Sequence, residues 1–186
     1  MENPRNDRPL RADAQRNRDT VLRVAAEVFA VEGLSVPVHE IARRAGVGTG
    51  TVSRHFPTKE ELFAAILIDR MAALVQLADD LARTEEPGPA FFSYFAAIVR
   101  EGATHRGLAQ ALAGSGFDVE SAGQRAGHDM PGRLRDLLDH AQRAGAVRAD
   151  VGYDEVKALL AGTMSCDITV VEPIVSVICD GLRAAR

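Results

Sequence analysis

Residues 42–62 read ARRAGVGTGTVSRHFPTKEEL, and this stretch decides the fold because its glycines, proline and hydroxyls punctuate short helices. Pro37 just upstream has a fixed φ and no N–H, which suits a helix start, and Gly46 can take the left-handed turn that ends that helix after Ala45. A second helix of similar length fits TGTVSRHF, with Gly48 or Thr49 at its N-cap. TKEE then makes a capping box. Thr58 accepts from the backbone N–H of Glu61, whose carboxylate reaches back, and Pro57 and Leu62 occupy the staple positions at the start of a long helix.

Working outward, Leu22, Ala25, Ala26, Phe29 and Ala30 recur at helical spacing over Asp13–Glu32, and Gly33 ends that helix. Downstream of Thr58, the residues Phe63, Ile66, Leu67, Met71, Leu74, Leu77, Ala78 and Leu81 form one stripe of a helix that stops before TEEPGP. AFFSYFAAIVREGA, a segment around Leu108–Ala113, PGRLRDLLDHAQRAG, YDEVKALLAGTMSCDITV and PIVSVICDGLRAA continue the helical pattern. No segment alternates with period two, so the expectation is an all-α protein of about nine helices. Its parts are a flexible basic arm over residues 1–12, a head of short helices over 13–60 and a larger helical domain over 61–186.

Composition narrows the function classes. With 46% hydrophobic and 26% charged residues the chain has the make-up of a folded protein with a sizeable core, and its 186 residues allow a small module joined to a larger one. The net charge of -4 is unevenly spread. Residues 1–60 hold 10 Lys and Arg against 8 Asp and Glu, whereas residues 61–186 hold 12 against 18, which points to a polyanionic partner for the first part only. No apolar run is long enough to cross a bilayer, and MENPRNDRPLRADAQRNR lacks the apolar segment of a signal peptide, so a cytoplasmic protein is expected. Cys166 and Cys179 lack metal-ligand spacing and read as buried free thiols in apolar helical pattern.

Two short helices joined by a tight turn place the second in the major groove of DNA while the first braces it across the backbone. The steric needs of that unit are met by small Ala42, by Gly46 at the turn, and by Ile41, Val47, Val52 and Phe56 pointing inward. The groove then receives Thr49, Thr51, Ser53 and Arg54, and Gly48 and Gly50 let the helix N-terminus approach phosphates closely.

VLRVAAEVFAVEGL, VHEIARRAGVGTGTVSRHFPTKEELF and the helix that follows resemble the TetR family of bacterial transcriptional regulators from about Arg16 to Met71. The resemblance implies a three-helix DNA-binding head and a larger helical domain that dimerises and binds a small ligand. By motif position it places Thr49, Thr51, Ser53 and His55 on the recognition helix and makes Lys59 a phosphate-binding lysine. Ser53 stands where many members carry tyrosine, keeping a hydroxyl but losing reach. In the C-terminal part the resemblance rests on helical layout and on GAVRADV.

Each residue has a plainer reading beside its functional one. Arg43 and Arg44 are either solvated charges or phosphate contacts, with contact by at least one favoured beside this turn, and Arg54 divides between guanine and phosphate. The arginines of the arm, Arg5, Arg8, Arg11, Arg16 and Arg18, suit the minor groove or merely a soluble tail. Phe91, Phe95, Phe117, Met130 and Met164, with His105 and His128 near helix ends, are candidates to line an effector site, although such stripes are more often core. Val156, Leu159 and Leu160 with Ile174, Ile178 and Leu182 make a candidate dimer seam of two helices from each protomer, with intramolecular core as the competing reading.

No catalytic constellation emerges: the histidines lack i, i+4 metal spacing, and there is no nucleophile elbow, phosphate-binding glycine loop or zinc cysteine cluster. No cofactor, metal or enzymatic activity is expected. The sequence therefore reads as a dimeric repressor on an inverted-repeat DNA operator, released by a small, largely apolar effector. Two alternatives stay open: a small-molecule-binding or enzymatic helical protein with a vestigial head, and a ligand-independent activator.

Overall fold

The computed structural model describes residues 7–163 and 166–185. The helices are α1 (Asp7–Glu32), α2 (Val38–Arg44), α3 (Thr49–His55), α4 (Lys59–Thr84), α5 (Pro87–Thr104), α6 (Arg106–Ala113), α7 (Val119–Arg125), α8 (Met130–Arg143), α9 (Tyr153–Thr163) and α10 (Val171–Leu182), with a short 3₁₀ turn at Ile168–Val170 before α10. Among the described residues the only β pairing is an isolated antiparallel bridge between Val147 and Arg183. The all-α expectation holds, with ten helices among the described residues where the sequence reading gives about nine.

The additional helix is α7. Asp118 caps it by accepting from the Ser121 N–H at 3.1 Å. Its Gly123 lies against the Met71 side chain so closely that a Cβ would collide with the thioether. A glycine in mid-helix weakens the periodic signal, and the reason for it is a contact with a distant helix. Helix α1 begins at Asp7, about two turns before the periodic pattern, and the arm residues 1–6 lie outside the described part.

The chain divides into two compact units. The first comprises the chain through Asp69 together with Gly107–Phe117; the second comprises Arg70–Arg106 and Asp118–Arg186. Helix α4 is continuous through both. In the first unit Leu22, Ala25 and Phe29 of α1 are buried, as are Ile41, Ala42, Val52, Phe56 and Leu62. Phe29 meets Phe63 edge to face at 5.1 Å between centroids, a favourable quadrupole arrangement.

In the second unit the core is built mainly on α5, whose Phe91, Tyr94, Phe95, Ile98 and Val99 pack with Leu134, Leu137, Leu138 and Ala141 of α8 and with Val156, Leu160, Val171, Val175, Cys179 and Leu182 of α9 and α10. GAVRADV is the clasp between α8 and α10. Gly145 takes φ +70°, the Arg148 N–H donates to Leu182 O at 3.0 Å, and the Ala184 N–H donates to Ala146 O at 3.2 Å. No helix among the described residues is long and apolar enough to cross a membrane.

Candidate functional site

The first candidate site is the exposed face of α3. Gly46 at φ +69° turns the chain after α2, and the Val47 N–H donates back to Ala42 O at 3.0 Å. Helix α3 then starts from Gly48 in extended conformation, with no side chain capping its first turn. Val52 is its one buried residue, and the Phe56 N–H closes the last turn on Val52 O at 2.8 Å. The rest of this seven-residue helix faces outward: Thr49, Gly50, Ser53, Arg54 and His55 are exposed and Thr51 is half-buried. At the start of α4 the Thr58 hydroxyl accepts from the Glu61 N–H at 3.1 Å, as the capping pattern predicts. Within the first unit, then, one buried anchor presents a short polar helix whose uncapped first-turn N–H groups suit an anion.

The surrounding basic residues are not idle. Arg43 donates to both carboxylate oxygens of Glu40, at 2.8 and 2.7 Å, and Arg44 donates to Glu40 at 2.7 Å and also binds Glu32. These bonds, first from Arg43 and then from Arg44, hold the Glu40 carboxyl down to about 2 from its ordinary 4.5. The Lys59 ammonium donates to the carbonyl of Leu34 and lies over the rings of Phe29 and Phe63 at 5.5 and 5.9 Å. It therefore ties the loop after α1 to the start of α4, a structural role that the motif reading did not include. Arg18, on α1, lies 5.7 Å over the Phe56 ring.

The second unit holds most of the residues proposed for effector binding. Phe91 and Phe95 are fully buried in the core cluster, 6.2 Å apart between centroids, and Met130 packs partly buried against it. His105 is buried at the end of α5, its Nε2 3.2 Å from Glu101 Oε1 but misdirected for a hydrogen bond. His128 is half-buried. Phe117 belongs to the first unit, and Met164 lies outside the described residues. A groove of about 390 Å³ does open between α5 and α10, lined by Phe92, Arg100, Glu172, Cys179 and Arg183 among others, but none of the proposed residues lines it. Among the described residues no group of three or more His, Cys, Asp or Glu is placed to hold a metal ion.

Tyr94, in AFFSYFAAIVREGA, belongs to the same aromatic stripe in the sequence but is not among the residues proposed for the effector site. It lies on the same core stripe as Phe91 and Phe95 and has no exposed surface, yet its hydroxyl has no hydrogen-bond partner. A buried polar group in that state costs about 1–3 kcal/mol. Burial pushes the phenol up, out of reach of physiological pH, with Arg133 opposing and Asp79, Asp129 and Tyr153 adding to the effect. Arg133 is paired with Asp79, Nε to Oδ1 at 2.6 Å, and Asp129 accepts from the Gly132 N–H at 2.9 Å. The signal available in the sequence was a single hydroxyl inside an otherwise apolar helical stripe.

The six seam residues separate into two groups. Val156, Leu160 and Leu182 are buried in the core of their own unit and offer no surface to a second copy. Leu159 is exposed, and Ile174 and Ile178 are half-buried. Val177, which the periodicity did not single out, is 73% exposed, and Ile168 and Val170 are exposed beside it in sequence.

Comparison with known proteins agrees with this architecture. The family described as bacterial regulatory proteins, tetR family, matches residues 21–66, and the family described as transcriptional regulator SbtR-like, C-terminal domain, matches residues 86–184. The HTH-type transcriptional regulator SrpR of Pseudomonas putida is 38% identical over 68 residues, 36% of this chain and 32% of that protein, so the match spans about a third of the relative's length. The crystal structure of a TetR transcription regulatory protein from Mycobacterium vanbaalenii is 50% identical over 95% of this chain and 100% of its own, with a TM-score of 0.77. A TetR transcriptional regulator from Streptomyces coelicolor is 30% identical, covering 91% of this chain and 99% of its own at a TM-score of 0.74. The matches cover both the head and the helical remainder, and the chain belongs to the TetR family of bacterial transcriptional regulators.

Proposed function

We propose that the protein is a homodimeric repressor that occupies an inverted-repeat operator through α3 and is released by a small, largely apolar effector bound in its C-terminal unit. The observation that carries the reading is α3 itself: seven residues, one of them buried, and a polar face that is mostly exposed. One such helix reads only a few base pairs, and specificity at physiological salt generally comes from two half-sites met by a symmetric dimer. Leu159, Ile174, Val177 and Ile178 supply apolar surface for that dimer. Helix α4, at 26 residues about 39 Å long, runs through both units and is the natural element to couple effector binding to DNA release.

Within this reading Thr49, Thr51, Ser53 and Arg54 face the groove, Gly48 and Gly50 admit the backbone, and Arg43, Arg44, His55 and Lys59 meet phosphates. Selection of bound DNA from a random pool tests it, with an enriched palindrome as the expected result and no enriched motif as the result that overturns it. On the selected site, Arg54→Ala flattens the salt dependence by about one unit or shifts the motif. Lys59→Ala lowers the thermal midpoint as well as the affinity, because its ammonium is also bonded to the Leu34 carbonyl. A Lys59→Ala protein of unchanged stability contradicts the tie.

A further inference from the structure

Among the described residues of the C-terminal core cluster, Tyr94 is the fully buried side chain that carries a hydroxyl, and that hydroxyl has no hydrogen-bond partner. The apolar residues of the same cluster include Leu74, Ala78, Phe91, Phe95 and Leu134. The charged groups near it are already matched. The Arg133 guanidinium forms an ion pair with the Asp79 carboxylate, Nε lying 2.6 Å from Oδ1 without hydrogen-bond alignment and Nη2 donating to Oδ2 at 3.4 Å, and the Asp129 carboxylate holds the first turn of α8 through Gly132.

From this arrangement we propose that the Tyr94 hydroxyl is the hydrogen-bond donor that anchors a neutral, predominantly apolar molecule through a carbonyl oxygen. The proposal rests on the reading of the C-terminal unit as an effector domain and names the chemistry of its ligand. Three physical points lead to it. First, the phenol stays protonated at physiological pH, so it has a proton to donate and needs an acceptor. Second, a ligand carboxylate entering here adds a negative charge beside Asp79 and Asp129 with only Arg133, already paired, to offset them. Third, a ligand ammonium brings donors but no acceptor for the Tyr94 proton, and it leaves water for apolar surroundings in which Asp79 and Asp129 already have partners. A carbonyl group on an apolar body satisfies the donor and brings no charge.

The test uses the full chain with three probes of one chain length, methyl octyl ketone, decanoate and decylamine, alongside N-phenylnaphthylamine as a neutral fluorescent reporter of an apolar site. Binding is followed by calorimetry and dye displacement, and the bound ketone by its infrared carbonyl stretch. The expected result is that the ketone displaces the dye and binds more tightly than either ion, with its carbonyl stretch lowered. Tyr94→Phe removes one oxygen. It keeps dye binding, raises the melting temperature of the free protein because the unpaired oxygen is gone, weakens the ketone about tenfold, and returns the stretch to its value in an apolar solvent. Equal ketone affinity in wild type and Tyr94→Phe overturns the proposal, as does tighter binding of decanoate or decylamine. If the dye binds and the ketone does not displace it, the anchor is wrong while the effector-domain reading stands. If neither dye nor any probe binds, both fall.

Discussion

Helices α3 and α10 present the same problem in opposite form. Helix α3 buries Val52 alone and exposes a run of polar residues, so whatever it does besides fold is written on its surface. Helix α10 buries Val171, Val175, Cys179 and Leu182 on one face and still carries Ile174, Val177 and Ile178 on others. A polar working face on a stub of helix cannot be mistaken for core. An apolar working face on a longer helix can, because the side chains that hold a protein together and those that join it to a second copy are of one chemical kind.

The comparison breaks most visibly at Val52. Val52→Asp places a carboxylate without a partner in the small core of the first unit, at a cost of about 3–5 kcal/mol. Operator binding is expected to vanish and the head to lose protection in hydrogen exchange, while α5 and α8 in the second unit keep theirs. Retained protection around α2 and α3 means that something other than Val52 holds the recognition helix.

On α10 and α9 the effect depends on which apolar face is touched. Leu160→Glu enters a core position and destabilises the second unit by a similar several kcal/mol. Val177→Glu changes a side chain that is 73% exposed in one copy, so the monomer keeps its melting temperature to within a few degrees. If Val177 lies in the seam, sedimentation then shows folded monomers whose operator affinity has fallen to near the non-specific level. Intact dimers in Val177→Glu move the seam to another surface.

The smallest expected effect is a pH dependence in the head. The folded-state value of Glu40 is depressed, so its contribution to stability is complete above 4.5 and is lost as pH falls toward about 2. Denaturation midpoints of the first unit are expected to drop across that window in the wild type and less steeply in Glu40→Gln. Identical slopes leave the paired arginines without a role in stability.

Legibility followed the range of the interactions. The bounds of α2 and α3 agree with the sequence reading to within about a residue because their signals, Pro37, Gly46, Gly48 and Thr58, act on their immediate neighbours. Helix α7 was hidden because the reason for Gly123 is Met71, far away in the chain. Phe91 and Phe95 could not be separated from pocket-lining residues by spacing, and only their complete burial assigns them to the core cluster. Tyr94 shares their stripe, and what distinguishes it is an unpaired oxygen that only three-dimensional packing exposes. The basic residues of the head were recognised as cations, but the carboxylates holding Arg43 and Arg44 lie partly a helix away, at Glu32.

The Glu40 carboxylate, gripped by two arginines next to the turn of the helix-turn-helix, has one further consequence. If Arg43 and Arg44 meet phosphates as proposed, it is an internal stand-in for one, tethered at high effective concentration to those two cations. Any nucleic acid then has to win an exchange rather than fill an open seat, and a featureless polyanion gains little from it. On that proposal the net release of dissolved ions is smaller than the number of phosphates contacted, and the salt dependence of binding is expected to be shallower than the arginine content suggests. On that proposal discrimination shifts from charge to shape and to base edges, the role proposed for Thr51, Ser53 and Arg54.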